Sequence, residues 1–147
     1  MANFVLVHGA WQTASTWDLV TPKLQASGHQ VWTPLLSGLE NDAPSLTPEI
    51  NLQTHVDDII NFLTHKNLQD VTLVGHSYAG MIITAVAENA APRLNRLVYV
   101  DAFVPNDGQS ALDLLPGAVV QSFRQQAEIA GEGWRLPAGE GHLDMWA

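Results

Sequence analysis

The chain has 147 residues, 46% apolar and 14% charged, which is enough for one folded domain with a true core and argues against an unstructured chain. Its 15 acidic and 6 basic side chains leave a formal charge of −9, the wrong sign for a nucleic-acid or anionic-membrane partner. There is no cysteine, hence no disulfide, thiolate metal site or thiol nucleophile. Met-Ala-Asn-Phe-Val lacks the basic region and long apolar run of a signal peptide, and no apolar stretch reaches membrane-spanning length, so the cytoplasm is the expected compartment.

Phe4-Val5-Leu6-Val7 is a short continuous apolar run, the pattern of a parallel strand buried on both faces. It ends in His8-Gly9-Ala10-Trp11, where the glycine lets the loop turn back over the sheet end, and His8 suits a structural, hydrogen-bonded role. Ser15-Thr16-Trp17-Asp18 has the form of a capping box opening a helix. Trp17, Val20 and Leu24 mark its face, Gly28 ends it, and Pro22 should kink it. Val31-Trp32-Thr33 gives a second strand, closed by Pro34. Residues 35–53 show no period and form a long loop, a kind that often carries function.

Thr54-His55-Val56-Asp57 opens the clearest helix: Val56, Ile59, Ile60 and Leu63 face inward, with Asp57, Asp58 and Asn61 outward. His55 and His65 do not fall on adjacent turns, so solvated helix-end histidines are expected rather than a metal pair. Val71-Thr72-Leu73-Val74 is a third strand, and Met81, Ile82, Ala85 and Val86 begin a helix only a few residues later. Leu97-Val98-Tyr99-Val100 is a fourth strand, with apolar residues on both faces as in an interior strand. Strand and helix alternating in this way predict an α/β, doubly wound parallel sheet. Its strands fall near 3–7, 30–33, 70–74 and 96–100. After Pro105 the apolar residues scatter among Gly, Pro and Gln, with one helix predicted near 119–130.

Between the third strand and its helix lies Gly75-His76-Ser77-Tyr78-Ala79-Gly80. A serine at so tight a turn should sit in strained backbone with its hydroxyl raised above the sheet, and its neighbours must be small where strand and helix backbones cross. The helix N-terminus beneath turns N–H groups and a positive dipole end toward any negative charge developing near Ser77. The bland alternative is a serine that only caps the helix.

This stretch resembles the nucleophile elbow of the α/β-hydrolases, with Ala79 where the usual pattern has glycine. Together with Phe4 to Trp11, Thr54-His55-Val56-Asp57-Asp58-Ile59 and Tyr99-Val100-Asp101-Ala102-Phe103-Val104-Pro105, it resembles the N-terminal portion of one branch: bacterial esterases related to plant methylesterases and hydroxynitrile lyases. The resemblance implies an α/β-hydrolase core over 1–105, incomplete, and the start of a helical cap over 106–147; with right-handed crossovers, its topology implies four parallel strands in spatial order second, first, third, fourth. It implies Ser77 as nucleophile, the N–H groups of Ala10 and Tyr78 as oxyanion hole, small apolar carboxylic esters as substrates, and no cofactor or metal.

A serine needs a base, and the base a carboxylate. The family order is Ser, acid, His; after Ser77 the only histidine is His142, candidate base or simply a cap residue. Asp101, at the end of the fourth strand, is the candidate acid or else a loop carboxylate. The family reaches its base through two further strands. The expectation is therefore a truncated chain, weakly active or inactive alone, that associates through the uncovered edge of the fourth strand. Two rivals stand beside the esterase. Hydroxynitrile lyases of this branch carry threonine where this chain has Gly9; a non-catalytic hydrolase-like protein would hold a ligand or partner without turnover.

Overall fold

The computed structural model describes residues 1–40 and 46–138. The chain divides into two compact units, Met1–Ala111 and Leu112–Ala147.

In the first unit, β1 (Asn3–Val7), β2 (Gln30–Trp32), β3 (Val71–His76) and β4 (Leu94–Val100) form one sheet in the order β2-β1-β3-β4, with every neighbouring pair parallel. The apolar runs marked these strands, and their order is the one the resemblance implied. Parallel neighbours cannot be joined by tight turns, and α1 (Thr21–Ala26), α2 (Leu52–His65) and α3 (Ala79–Ala90) supply the crossovers. Alternate residues of β1 and β3 point to opposite faces. Val5, Val7, Val71 and Leu73 pack with Val56, Ile59 and Leu63 of α2 and Ile82, Ile83 and Val86 of α3 in the main core. Leu6 and Val74 point the other way, into a smaller cluster with Trp17. β4 forms an edge of the sheet; Asn95, Arg96 and Val100 are exposed, although its sequence has the apolar pattern of an interior strand.

Two helix starts differ from expectation. No helix runs from Ser15 to Gly28: a 3₁₀ turn, Ala14–Trp17, is capped by Thr13, whose hydroxyl accepts from the Ser15 N–H, and α1 begins separately at Thr21. Pro22 lies in the first turn of α1, where a missing N–H costs nothing, so it starts a helix rather than kinking one. α2 begins at Leu52, two residues before the expected Thr54, because Asn51 caps it. The Asn51 side chain accepts from the Thr54 N–H and the Thr54 hydroxyl from the Asn51 N–H, both at 3.2 Å.

In the second unit, α4 (Gly117–Ala130) follows Pro116, near the helix expected at 119–130. None of its residues is buried. An ion pair of 3.0 Å joins Arg135 to Glu132 after it.

Candidate active site

β3 ends at His76 and α3 begins at Ala79, so Ser77 and Tyr78 make the whole turn. Ser77 has φ 54°, the left-handed region that a residue with a Cβ enters only at a cost of order 1–3 kcal/mol. Its own peptide groups hold it there. The Ser77 N–H points to the Val100 carbonyl (3.4 Å), and the Ser77 carbonyl accepts from the Gly80 and Phe103 N–H groups, each at 3.1 Å. The chain leaving β4 is thus stitched to the elbow. The shifted glycine follows from this: a Cβ at Gly80 would run into the Phe103 carbonyl, whereas Ala79 is accommodated fully buried. A Cβ at Gly75 would lie 2.9 Å from the Ala79 carbonyl oxygen, so glycine is needed at 75 and 80, whereas the fully buried position 79 accepts the single methyl of alanine.

The loop after β1 lies against the elbow. A Cβ built on Gly9 would sit 3.0 Å from the Ser77 Cβ and 3.1 Å from the His76 carbonyl oxygen. Gln12, buried and not foreseen from the sequence, holds that loop: its Oε1 accepts from the Gly9 N–H (2.8 Å) and from Nδ1–H of His76 (3.0 Å). His8 is fully buried, with Nδ1 3.0 Å from the Gly9 carbonyl oxygen and Nε2 3.2 Å from the Leu36 N–H. A carbonyl can only accept and an N–H only donate, so the partners assign the neutral ring with its proton on Nδ1. Burial lowers the His8 pKa in the same sense.

His55 is not a solvated helix-end histidine. It is buried on α2, with Nε2 2.9 Å from the Ser37 carbonyl oxygen and Nδ1 3.0 Å from the Tyr78 hydroxyl. The Ser37 carbonyl can only accept, so Nε2–H donates to it and Nδ1 is left to pair with the Tyr78 hydroxyl; burial pushes the Tyr78 pKa up to about 12, so that hydroxyl keeps its proton. Asp58 does not simply face outward either: its carboxylate takes the Ser37 N–H (2.8 Å) and hydroxyl (2.9 Å). A signal for His55 was present, since it lies one turn before Ile59 on the apolar stripe. His65 is exposed, as expected, and donates from Nδ1 to the Asn61 carbonyl at 2.8 Å.

The sequence profile described as the alpha/beta hydrolase family matches residues 4–146. The chain belongs to the alpha/beta hydrolase family. Its relatives in the family include named esterases and haloalkane dehalogenases. It is 45% identical over 119 residues to the carbendazim hydrolyzing esterase of Nocardioides sp. (strain SG-4G), covering 81% of this chain and 49% of that protein. It is 32% identical over 133 residues to methylesterase 8 of Arabidopsis thaliana, covering 90% and 46%. Among solved structures, an extracellular alpha/beta-hydrolase from a Paenibacillus species superposes with a TM-score of 0.83 at 34% identity, over 89% of this chain and 53% of that one. The chain therefore spans about half the length of the relatives it matches.

In this alpha/beta-hydrolase core, Ala10 lies in the turn after β1 and Tyr78 directly after Ser77. Asp101 follows β4 with φ 43°; its side chain is exposed, and its charge raises the His76 pKa against the larger lowering by burial. The segment carrying Asp101 is therefore beside the elbow, since Val100 and Phe103 both bond to Ser77. His142 lies outside the described residues. No helix among the described residues is long and apolar enough to cross a membrane.

Proposed function

We propose that this chain carries the nucleophile and oxyanion hole of a serine hydrolase for small apolar carboxylic esters. The observation that carries the reading is Ser77 at φ 54° between β3 and α3, with the Gly9 loop packed against its Cβ. In the proposed reaction the Ser77 Oγ attacks the ester carbonyl carbon while its proton passes to a base. The N–H groups of Ala10 and Tyr78 hold the negative oxygen of the tetrahedral intermediate. The alcohol leaves with a proton, and water then hydrolyses the acyl-serine.

Asp101 is the proposed acid and His142 the proposed base, with no cofactor. Association of two chains through the exposed edge of β4 belongs to the same proposal, and no nucleic-acid or membrane partner does. The esterase relatives support the substrate class, and the close quarters at Gly9 favour hydrolysis over a hydroxynitrile-lyase reaction. A threonine Cβ there would meet the Ser77 Cβ at 3.0 Å and Gln12 Oε1 at 3.1 Å.

The test is covalent labelling with a fluorophosphonate probe, mapped by mass spectrometry, alongside p-nitrophenyl butyrate turnover. The expected result is a single adduct on Ser77, lost together with turnover in Ser77→Ala. A folded chain that resists the probe at every concentration is instead the non-catalytic binding protein.

A further inference from the structure

The two residues proposed as the oxyanion hole lie in loops distant in sequence, yet a path of hydrogen bonds, continued through the adjoining backbone of Leu36 and Ser37, runs from the Gly9–Ala10 peptide to the Tyr78 side chain. It begins at the Gly9–Ala10 peptide, whose carbonyl belongs to Gly9 and whose N–H is the donor of Ala10. His8 Nδ1–H donates to that carbonyl (3.0 Å). Because the peptide is planar, fixing the C=O also fixes the direction of the Ala10 N–H on its opposite side. The other ring nitrogen of His8 accepts the Leu36 N–H (3.2 Å). The next residue, Ser37, offers its carbonyl to His55 Nε2–H (2.9 Å), and His55 Nδ1 pairs with the Tyr78 hydroxyl (3.0 Å). Asp58 grips the N–H and hydroxyl of Ser37, tying the middle of the path to α2. Leu36, His8 and His55 are buried, so the bonds they make are shielded from competing water.

We propose that His55 and His8 are positioning residues that clamp the Leu36–Ser37 segment between them, and thereby hold the Ala10 and Tyr78 N–H groups aimed at a common point beside Ser77. The inference rests on the esterase reading and adds to it the residues that set its oxyanion geometry. Neither histidine touches the reacting atoms in this scheme. Their effect is preorganisation: donors fixed before the reaction need no reorganisation as charge develops. Loss of one whole oxyanion donor costs about 10²–10³-fold in kcat, so a donor that remains but is misaimed should cost less, roughly 10-fold.

The experiment uses the full chain and two variants, Tyr78→Phe, which removes only the hydroxyl, and His55→Gln, whose amide can replace one or both bonds of the ring. The first measurement is the amide nitrogen–proton correlation spectrum of ¹⁵N-labelled protein, which does not depend on activity. Tyr78→Phe should move the amide signals of Ser37, Leu36 and Ala10; because the Gly9 loop also packs directly on the elbow, the Leu36 signal must move with that of Ala10, and a stationary signal for either overturns the clamp. The second is steady-state ester hydrolysis. Tyr78→Phe should lower kcat about 10-fold with KM little changed, because the interaction lost is made in the transition state. A trifluoromethyl ketone, which forms an oxyanion on Ser77, should weaken by the same factor, and His55→Gln should fall between Tyr78→Phe and the parent. A merely structural role would instead lower the melting temperature and leave the kcat and KM of the folded fraction at parental values, and that result also overturns the proposal. A parent chain with neither labelling nor turnover refutes the esterase reading itself, and the clamp then stands or falls on the Leu36 and Ala10 signals.

Discussion

Replacing Gly80 by alanine tests the account of the elbow because two effects of opposite sign compete there. Gly80 is inside α3, and Gly→Ala in a helix ordinarily stabilises by about 1 kcal/mol. Here the added Cβ would be driven into the Phe103 carbonyl, a backbone group with no side-chain freedom to retreat. Forcing extra volume into such a contact costs about 1–3 kcal/mol. Displacing Phe103 also strains its 3.1 Å bond to the Ser77 carbonyl, with a further ~0.5–1.5 kcal/mol at stake. The net expectation is a loss of roughly 1–3 kcal/mol. At about 3–4 °C per kcal/mol for a chain of this size, the melting temperature should drop by roughly 3–12 °C. Thermal denaturation followed by circular dichroism measures it, with Gly117→Ala as control. Gly117 opens α4 with nothing near its absent Cβ, so alanine there should leave the melt unchanged or slightly raised. A Gly80→Ala chain that melts at or above the parent would show that helix propensity wins and that the contact with Phe103 does not hold the elbow.

Gly9→Ala should cut ester turnover at least several-fold, since its Cβ presses on the Ser77 Cβ at 3.0 Å; kinetics equal to the parent would mean the loop retreats freely. Stability should fall as pH drops below about 6.5, because burial lowers the His8 pKa and the unfolded chain then binds the extra proton. The slope is at most ~1.4 kcal/mol per pH unit for this group, and urea midpoints identical at pH 7.5 and 5.8 would refute it. His76, also lowered by burial, acts in the same direction. Sedimentation velocity should detect association through β4, weakened by Val100→Lys at a position already 41% exposed; monomers for both chains would rule that edge out.

β1 and β3 were legible because each is a short apolar run covered on both faces, and a run of that length leaves little choice of structure; β2 and β4 were legible from their apolar runs although both are partly exposed. The elbow was legible for a related reason: few residue types tolerate its backbone crossings, so Gly75 and Gly80 announce it. The polar scaffold was hidden. His55 and Asp58 sit one turn apart on α2, and nothing local says that the partners of one are Ser37 and Tyr78, far away along the chain. A buried polar group is placed by whichever distant carbonyl or hydroxyl satisfies it, and single-residue hydropathy treats such a group as solvent-facing. Pro22 misled in a different way, because a proline in the first turn of one helix has the same sequence signature as a proline inside a longer one.

The two bonds from Ser77 to the chain leaving β4 also govern when the nucleophile can exist. Outer strands are where native sheets fray first, and opening of this one would release the Ser77 carbonyl from Phe103 and the Ser77 N–H from Val100 together. The left-handed backbone at Ser77 would then relax, since strain of that kind persists only while its surroundings enforce it. Hydrogen exchange should accordingly find the Ser77 and Phe103 amides opening as one unit, at a lower free energy than the amides of β1. A covering strand laid along β4 would slow both amides at once, and so lengthen the time for which the serine is armed.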